Sequence, residues 1–148
     1  FENNMQMIQN EYRQINKNSK IYANFGFVNN YKSSLDTNKN SIFNLFANYE
    51  LDLDFKKFTE SNFYLSIEKV TNDTFLKIFD PHIQDQILKP TNYDNLKNEL
   101  KISLKNNEYT FESGIKSFEN LQKANNDKYE YVFPYYSFNK IIRYSITW

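Results

Sequence analysis

Two carboxylates spaced two residues apart come closest to a catalytic arrangement in this sequence. Asp52 and Asp54 occur in the stretch SIFNLFANYELDLDF (41–55), and in an extended strand both would project from the same face. A pair of carboxylic acids can act as general acid and as general base or nucleophile in glycoside hydrolysis. Nothing in the sequence supplies a desolvated pocket that would separate their pKa values. A solvated row of acidic residues is therefore the better interpretation.

The other candidate groups are equally unsupported. His82 is the only histidine, it follows a proline in a loop-like stretch, and the chain has no cysteine to complete a metal or nucleophile site. Asn72-Asp73-Thr74 fits a glycosylation sequon, but an Asx-type turn accounts for it better. We predict that the chain is not an enzyme, with no catalytic residue, no metal site and no cofactor.

The elements that would position these side chains are long strands with alternating character. In 41–55 the odd positions are mostly apolar and the even positions mostly polar or charged, which predicts a strand with one apolar and one charged face. The apolar row is Phe43, Leu45, Ala47, Tyr49, Leu51, Leu53 and Phe55. The opposite row includes Asn44, Asn48, Glu50, Asp52 and Asp54.

A second alternating stretch predicts a hairpin. Leu100, Ile102 and Leu104 alternate with polar residues before Asn106-Asn107, and Tyr109 and Phe111 do so after it. A two-residue turn at Asn106-Asn107, with Asn in the left-handed conformation, would place Lys101 opposite Glu112, Lys105 opposite Glu108 and Ser103 opposite Thr110. The same register puts Leu104 opposite Tyr109 and Ile102 opposite Phe111.

The whole chain is then predicted to form an all-β, antiparallel up-and-down meander of about eight long strands. Short connections alternate with long ones, and a tight turn is expected near 138–139. Pro134 cannot donate a ladder hydrogen bond and marks a bulge or other strand irregularity. The predicted strands are 4–16, 20–30, 41–55, 61–71, 96–106, 107–120, 128–137 and 140–148, and 81–95 can hold a helical turn.

Alternation alone leaves open whether the apolar face is a buried core or a wall facing lipid. Three features favour a segment of a transmembrane outer-membrane β-barrel. Strands are longer than the usual 5–6 residues, short turns alternate with long loops, and aromatic residues lie near the ends of the apolar rows. The alternatives are a small complete eight-stranded outer-membrane barrel and a soluble β-barrel that binds a small apolar ligand.

The membrane interpretation assigns the two faces of the sheet to lipid and lumen. Glu11 and Arg13 flank Tyr12 and should share the lumen face, where pairing with neighbouring strands explains them better than a ligand does. The predicted lumen-facing residues are Glu11, Arg13, Asn44, Asn48, Glu50, Asp52, Asp54, Lys101 and Glu112. The predicted lipid-facing residues are Phe43, Leu45, Tyr49, Leu51, Leu53, Phe55, Leu100, Ile102, Leu104, Tyr109 and Phe111.

Composition excludes some partners. The 18 basic and 18 acidic residues are interspersed and cancel, so no basic block is large enough to neutralise many phosphates, and we expect no nucleic-acid partner. No run of about 18 apolar residues occurs. An aromatic content of 18% argues against disorder.

Five segments in order resemble one known family across essentially the whole chain. They are IQNEYRQIN (8–16), FGFVNNYKSS (25–34), IEKVTNDTFLKIFD (67–80), LKPTNYDNLKNELKISL (88–104) and YEYVFPYYSFNK (129–140). The series is similar to the barrel domain of the lipopolysaccharide-assembly proteins called LptD or organic-solvent-tolerance proteins. No single motif among the five is specific by itself.

The resemblance implies a function in the cell outer membrane. A barrel of this family receives lipopolysaccharide from a periplasmic Lpt bridge and passes it sideways into the outer leaflet of the bilayer. An LptE-like lipoprotein plug sits in the lumen of well-known members. On this basis residues 1–148 are expected to form one central piece of the barrel, which would not transport lipid alone.

Overall fold

The computed structural model describes residues 5–32 and 41–140. Seven antiparallel strands form one open sheet in sequence order, each paired with its neighbours along the chain. The strands are β1 (Gln6–Ile15), β2 (Ser19–Asn29), β3 (Ser41–Asp52), β4 (Glu60–Val70), β5 (Asn95–Lys105), β6 (Tyr109–Asn120) and β7 (Tyr129–Lys140). The predicted all-β antiparallel meander is confirmed.

The connections alternate in length as predicted. Three short connections join strands at one end of the sheet, which we call the short-turn end: residues 16–18, 53–59 and 106–108. Longer connections, including 71–94 and 121–128, lie at the other end, the long-loop end. The predicted turn near 138–139 is wrong, because β7 continues to Lys140, which pairs with Tyr109. The rest of the expected eighth strand, 141–148, lies outside the described residues.

The β5–β6 hairpin forms, but its predicted register is wrong by two residues. Lys105 pairs with Thr110, Leu104 with Phe111 and Lys101 with Gly114. The side chain of Asn106 causes the difference, since its Oδ1 accepts the N–H groups of Glu108 and Tyr109, both at 2.9 Å. This Asx turn closes the hairpin without the left-handed conformation expected for asparagine. Because side chains alternate between the faces with period two, a register shift of two residues leaves each side chain on its predicted face.

The predicted strand 41–55 is too long at its end. β3 stops at Asp52, and Asp54 takes a left-handed conformation with φ of 50°. The N–H of Asp54 donates to Oδ1 of Asp52 at 3.0 Å, while the N–H of Phe55 donates to Oγ of Ser61 at 2.9 Å. Leu53, Asp54 and Phe55 therefore belong to the turn, and their alternation carries no information about faces.

The bulge predicted at Pro134 is confirmed. The β6–β7 register shifts between Gly114, which pairs with Tyr135, and Lys116, which pairs with Val132. Pro134 lies in the interval where the ladder slips, as expected for a residue that has no N–H to donate.

The register defines two faces of the sheet. The apolar face carries Phe27, Phe43 and the other side chains in register with them. The charged face carries Asn24, Asn44 and the side chains in register with these two. The hydrophobic core lies on the charged face at the long-loop end, since its members Val28, Ile42 and Phe46 are all on that side.

The other half of this core comes from the connection 71–94, which we call the cap segment. It contains two short helices, α1 (Phe75–Ile78) and α2 (Asp80–Ile83). Phe75, Leu76, Phe79 and Ile83 are completely buried against the strand residues. No helix of the described residues is long and apolar enough to cross a membrane.

Candidate functional site

The apolar face is the first candidate surface. Strand pairing continues it across the sheet, from Phe27 beside Phe43 to Leu51 beside Phe63, and on through Ile102 to Ser113. Every predicted lipid-facing residue lies on this face except Leu53 and Phe55, which are in the turn, and none of them is buried. Phe43 is 38% exposed and Phe138 is 59% exposed. Leu96 and Glu119 share this register at the long-loop end and are buried, so the face is covered there.

Aromatic side chains on the apolar face gather near both ends of the strands. At the long-loop end the rings of Phe25 and Phe43 lie 6.5 Å apart, and Tyr129 stacks on Tyr131 at 6.4 Å. At the short-turn end Tyr109 contacts Phe138 at 5.6 Å and Phe58 at 6.1 Å. Aliphatic residues fill the area between them: Leu45, Leu65, Ile67, Leu100 and Ile115.

The charged face holds all the predicted lumen-facing residues except Asp54. Arg13 pairs with Glu11 on the same strand rather than with a neighbouring strand. Lys101 and Glu112 lie 3.7 Å apart across β5 and β6, as predicted, although they are diagonal rather than opposite. Glu50 lies 3.7 Å from Lys20, and both are exposed. These contacts stabilise the ladder weakly and leave the face hydrated.

Asn44 and Asn48 occupy different surroundings on the same face. Asn48 is half-buried, whereas Asn44 is completely buried beside Asn24. Nδ2 of Asn44 donates a hydrogen bond to Oδ1 of Asn24 at 3.5 Å. Among the described residues Oδ1 of Asn44 has no hydrogen-bond partner, and it lies close to the backbone of Gly26. The cap segment thus buries one of the predicted lumen-facing residues instead of leaving it in water.

The remaining predicted groups show structural roles. Asp52 accepts the N–H of Asp54, so the two carboxylates do not face one another across a cleft. His82 lies in α2, a short helix rather than a loop, which agrees with the helical turn expected within 81–95. Asn72 accepts the N–H and hydroxyl of Thr74, which confirms the Asx turn. Within residues 5–32 and 41–140 no group of three or more His, Cys, Asp or Glu could hold a metal ion.

A buried charge cluster that the sequence did not reveal lies at the long-loop end, where the cap segment meets the sheet. Glu119 is almost fully buried and accepts from Lys69 at 2.8 Å and from Lys128 at 3.1 Å. Lys128 also pairs with Asp73 of the cap segment. Burial opposes the charge of Lys128, but its hydrogen bonds to Asp73 and Glu119 outweigh that and raise its pKa.

A second buried carboxylate, Glu99, lies on the charged face of β5. It accepts from Lys97 at 2.6 Å, from Lys116 at 3.4 Å and from the hydroxyl of Tyr135 at 2.9 Å. The ammonium of Lys116 also lies 4.2 Å from the ring centre of Tyr135. Because the carboxylate is fully paired, it has the properties of a structural anchor rather than of a general base.

The β4–β5 pair does not stay closed along its length. Its ladder runs from Glu60 opposite Lys105 to Ser66 opposite Glu99 and ends there, although β4 continues to Val70. Beyond that point side chains replace ladder bonds. The N–H of Glu68 donates to Oδ1 of Asn98 at 2.9 Å, and the N–H of Lys97 donates to Oε2 of Glu68 at 2.7 Å.

Hollows lie on both sides of this opening, which we call the β4–β5 seam. A groove of about 530 Å³ on the apolar face is lined chiefly by Leu65, Ile67, Leu100, Ile115, Tyr131 and Phe133. A smaller hollow of about 250 Å³ on the charged face is closed from above by the cap residues Leu88, Lys89 and Thr91. A separate polar cleft of about 630 Å³ lies at the short-turn end, between Lys20, Glu50 and Lys101.

None of the family models, curated proteins or solved structures compared with this chain matches it. The resemblance to LptD barrels therefore stays a prediction from the five ordered segments. The two faces of the sheet, rather than a relative, carry the functional argument.

Proposed function

We propose that this chain is part of the wall of an outer-membrane β-barrel, with its apolar face in contact with lipid. The observation that carries the proposal is the inverted placement of apolar residues. The buried core lies on the charged face under the cap segment, while Phe25, Phe43 and Phe138 are exposed on the opposite face. Large exposed apolar surfaces mark interaction sites, and one that extends across neighbouring strands of a seven-stranded sheet suits a bilayer.

The arrangement of aromatic residues supports the same proposal. Barrel walls carry an apolar band about 25 Å tall between two girdles of aromatic residues. An 11-residue strand such as β2 at about 3.3 Å per residue and about 45° tilt spans roughly that height. The aromatic contacts at both ends of the apolar face and the aliphatic residues between them fit this geometry.

The charged face would then line the lumen, and the cap segment would fold into it from the long-loop end. A soluble barrel that binds an apolar ligand would instead need the apolar face turned inward around that ligand. In the described residues the buried core is on the other side, which favours the membrane proposal.

From the resemblance we further propose that the barrel assembles lipopolysaccharide into the outer leaflet. Its partners would be lipopolysaccharide, the outer-membrane bilayer, the periplasmic Lpt bridge and an LptE-like plug. The test is controlled depletion of the protein that carries this chain, with surface lipopolysaccharide labelled by an impermeant reagent. We expect surface lipopolysaccharide to fall, and to recover when the protein is restored.

An immunoblot of outer membranes with an antibody to the cap segment separates this proposal from its alternative. A band several times larger than 17.9 kDa favours the lipopolysaccharide-assembly barrel. A band near that mass, together with unchanged surface lipopolysaccharide after depletion, would favour the small complete barrel and contradict the assembly function.

A further inference from the structure

We propose that the groove over the β4–β5 seam binds one acyl chain of an anionic membrane phospholipid, whose phosphate lies at Lys69. The inference rests on the proposed lipid-facing role of the apolar face. It adds a specific lipid site to that face, which otherwise would meet the bilayer without selectivity.

The lining of the groove fits a hydrocarbon chain. Leu65, Ile67, Leu100 and Ile115 form its floor, and Tyr131 and Phe133 stand beside it, 69% and 74% exposed. A flat sheet offers a lipid chain contact on one side only. A groove flanked by two upright aromatic rings contacts the chain on several sides, which increases dispersion and apolar burial together.

The opening of the ladder explains why a groove exists at this place. Paired strands lie about 4.8 Å apart, and no depression forms between them. Beyond Ser66 and Glu99 the side chains of Glu68 and Asn98 are inserted between the strands and separate them. The register shift beside Ile115 displaces β7 on the other side of the groove.

Charge at the mouth of the groove identifies the headgroup. Lys69 and Tyr129 lie two residues from Ile67 and Tyr131, toward the long-loop end, and their register puts them on the same face. The side chain of Lys69 is 42% exposed, whereas that of its partner Glu119 is only 4% exposed. The exposed carboxylate of the same cluster, Asp73, belongs to the cap segment, which packs on the charged face. The exposed charge on the apolar face at this point is therefore positive, and it suits a phosphate.

The experiment fills the groove in the full-length protein that carries this chain. Ser117 lines the groove on β6, and Ser117→Trp would occupy its volume. Ser113 lies on the same strand and face but outside the groove, so Ser113→Trp is the matched control. In all variants Trp148 and every other native tryptophan are replaced by phenylalanine. Native mass spectrometry in detergent counts the phosphatidylglycerol and phosphatidylcholine molecules retained by each variant.

The reference protein should retain one phosphatidylglycerol, and Ser117→Trp should weaken that binding by about tenfold or more. Ser113→Trp should leave it unchanged. Equal retention by the two variants, or no retained lipid in the reference, would overturn the groove site. The proposed function is judged separately, because brominated lipid in vesicles should quench the fluorescence of the tryptophan introduced in the control variant whether or not the groove holds a lipid.

Lys69→Gln tests the headgroup. It should reduce the preference for phosphatidylglycerol over phosphatidylcholine to within about twofold, because the phosphate loses its charged partner. Lys105→Gln is the control, since Lys105 is also half-exposed and paired with a glutamate, Glu60, but at the short-turn end. An unchanged preference in Lys69→Gln would overturn the assignment of the phosphate to this residue.

Discussion

Phe43 and Asn44 are neighbours in β3, yet the phenylalanine is 38% exposed and the asparagine is completely buried. In a water-soluble protein the burial of these two residue types is usually the reverse. The cause is the position of the cap segment, which packs on the charged face and leaves the apolar face open. This inversion is the central feature of the molecule and the basis of the predictions below.

A cation on the apolar face should destabilise the protein in a bilayer. Ala47 is near the middle of that face, and Ala47→Lys should reduce the free energy of unfolding from lipid vesicles by about 2–4 kcal/mol. Asn48→Lys, one residue along and on the charged face, should cost much less. Urea titration from vesicles measures both, and equal losses would contradict the assignment of the two faces.

The cap segment should depend on its buried phenylalanines. Phe79 is completely buried between Tyr31 and Phe75, so Phe79→Ala should cost about 3–5 kcal/mol of local stability. Its neighbour Ile78 is 46% exposed, and Ile78→Ala should change stability by no more than about 0.5 kcal/mol. Hydrogen exchange of the backbone amides of 75–84 is the measurement. Similar protection in both variants would show that the cap is not held by this core.

A side chain at Gly26 should destabilise the protein while Asn44 is in place. A Cβ at Gly26 would overlap Oδ1 of Asn44, so Gly26→Ala should cost about 1–3 kcal/mol. The double variant Gly26→Ala/Asn44→Ala should recover most of that loss, because the overlapping atom is gone and an unpaired buried oxygen is removed with it. A double variant as unstable as the single one, in thermal unfolding, would contradict this close contact.

Lys128 should make stability fall at alkaline pH. Its pKa is raised in the folded state. Its contribution to the free energy of unfolding is therefore complete below the pKa of an unfolded lysine, about 10.4, and is lost as the pH rises through the higher pKa of the folded state. Lys128→Met should cost about 1–3 kcal/mol at pH 8, since Lys69 still pairs with Glu119, and should flatten the alkaline decline.

Lys123→Met is the control for this pH dependence. Lys123 pairs with Asp127 on the surface, where both side chains are more than half exposed, and its loss should change stability little. Unfolding curves at several pH values between about 8 and 11.5 compare the variants with the parent, a range that brackets the lysine titration. An alkaline decline as steep in Lys128→Met as in the parent would assign it to other groups.

The sequence predicted the strands well because alternation with period two is a local property. The row from Phe43 to Leu51, the alternation of short and long connections and the irregularity at Pro134 all follow from residue type and spacing. Register was harder to predict. The side chain of Asn106 closes the β5–β6 turn as an Asx motif, and alternation cannot distinguish registers that differ by two residues.

The cap segment and the charge cluster could not be derived from alternation. Phe75, Leu76, Phe79 and Ile83 have helical spacing, which was a usable signal, but which face the helices would cover depends on contacts distant in sequence. Lys128 meets Asp73 only because the cap folds back over the sheet, whereas its contact with Glu119 follows from the pairing of β6 with β7. The opening of the β4–β5 seam depends in the same way on the inserted side chains of Glu68 and Asn98.

Tryptophan scanning along β3 tests the central claim most directly. Single tryptophans at positions 44 to 50 are introduced into the full-length protein after Trp148 and every other native tryptophan have been replaced by phenylalanine. They are compared in vesicles with and without brominated acyl chains. We expect strong quenching at 45, 47 and 49 and little at 44, 46, 48 and 50. Quenching without this alternation, or none at the odd positions, would contradict a lipid-facing apolar surface.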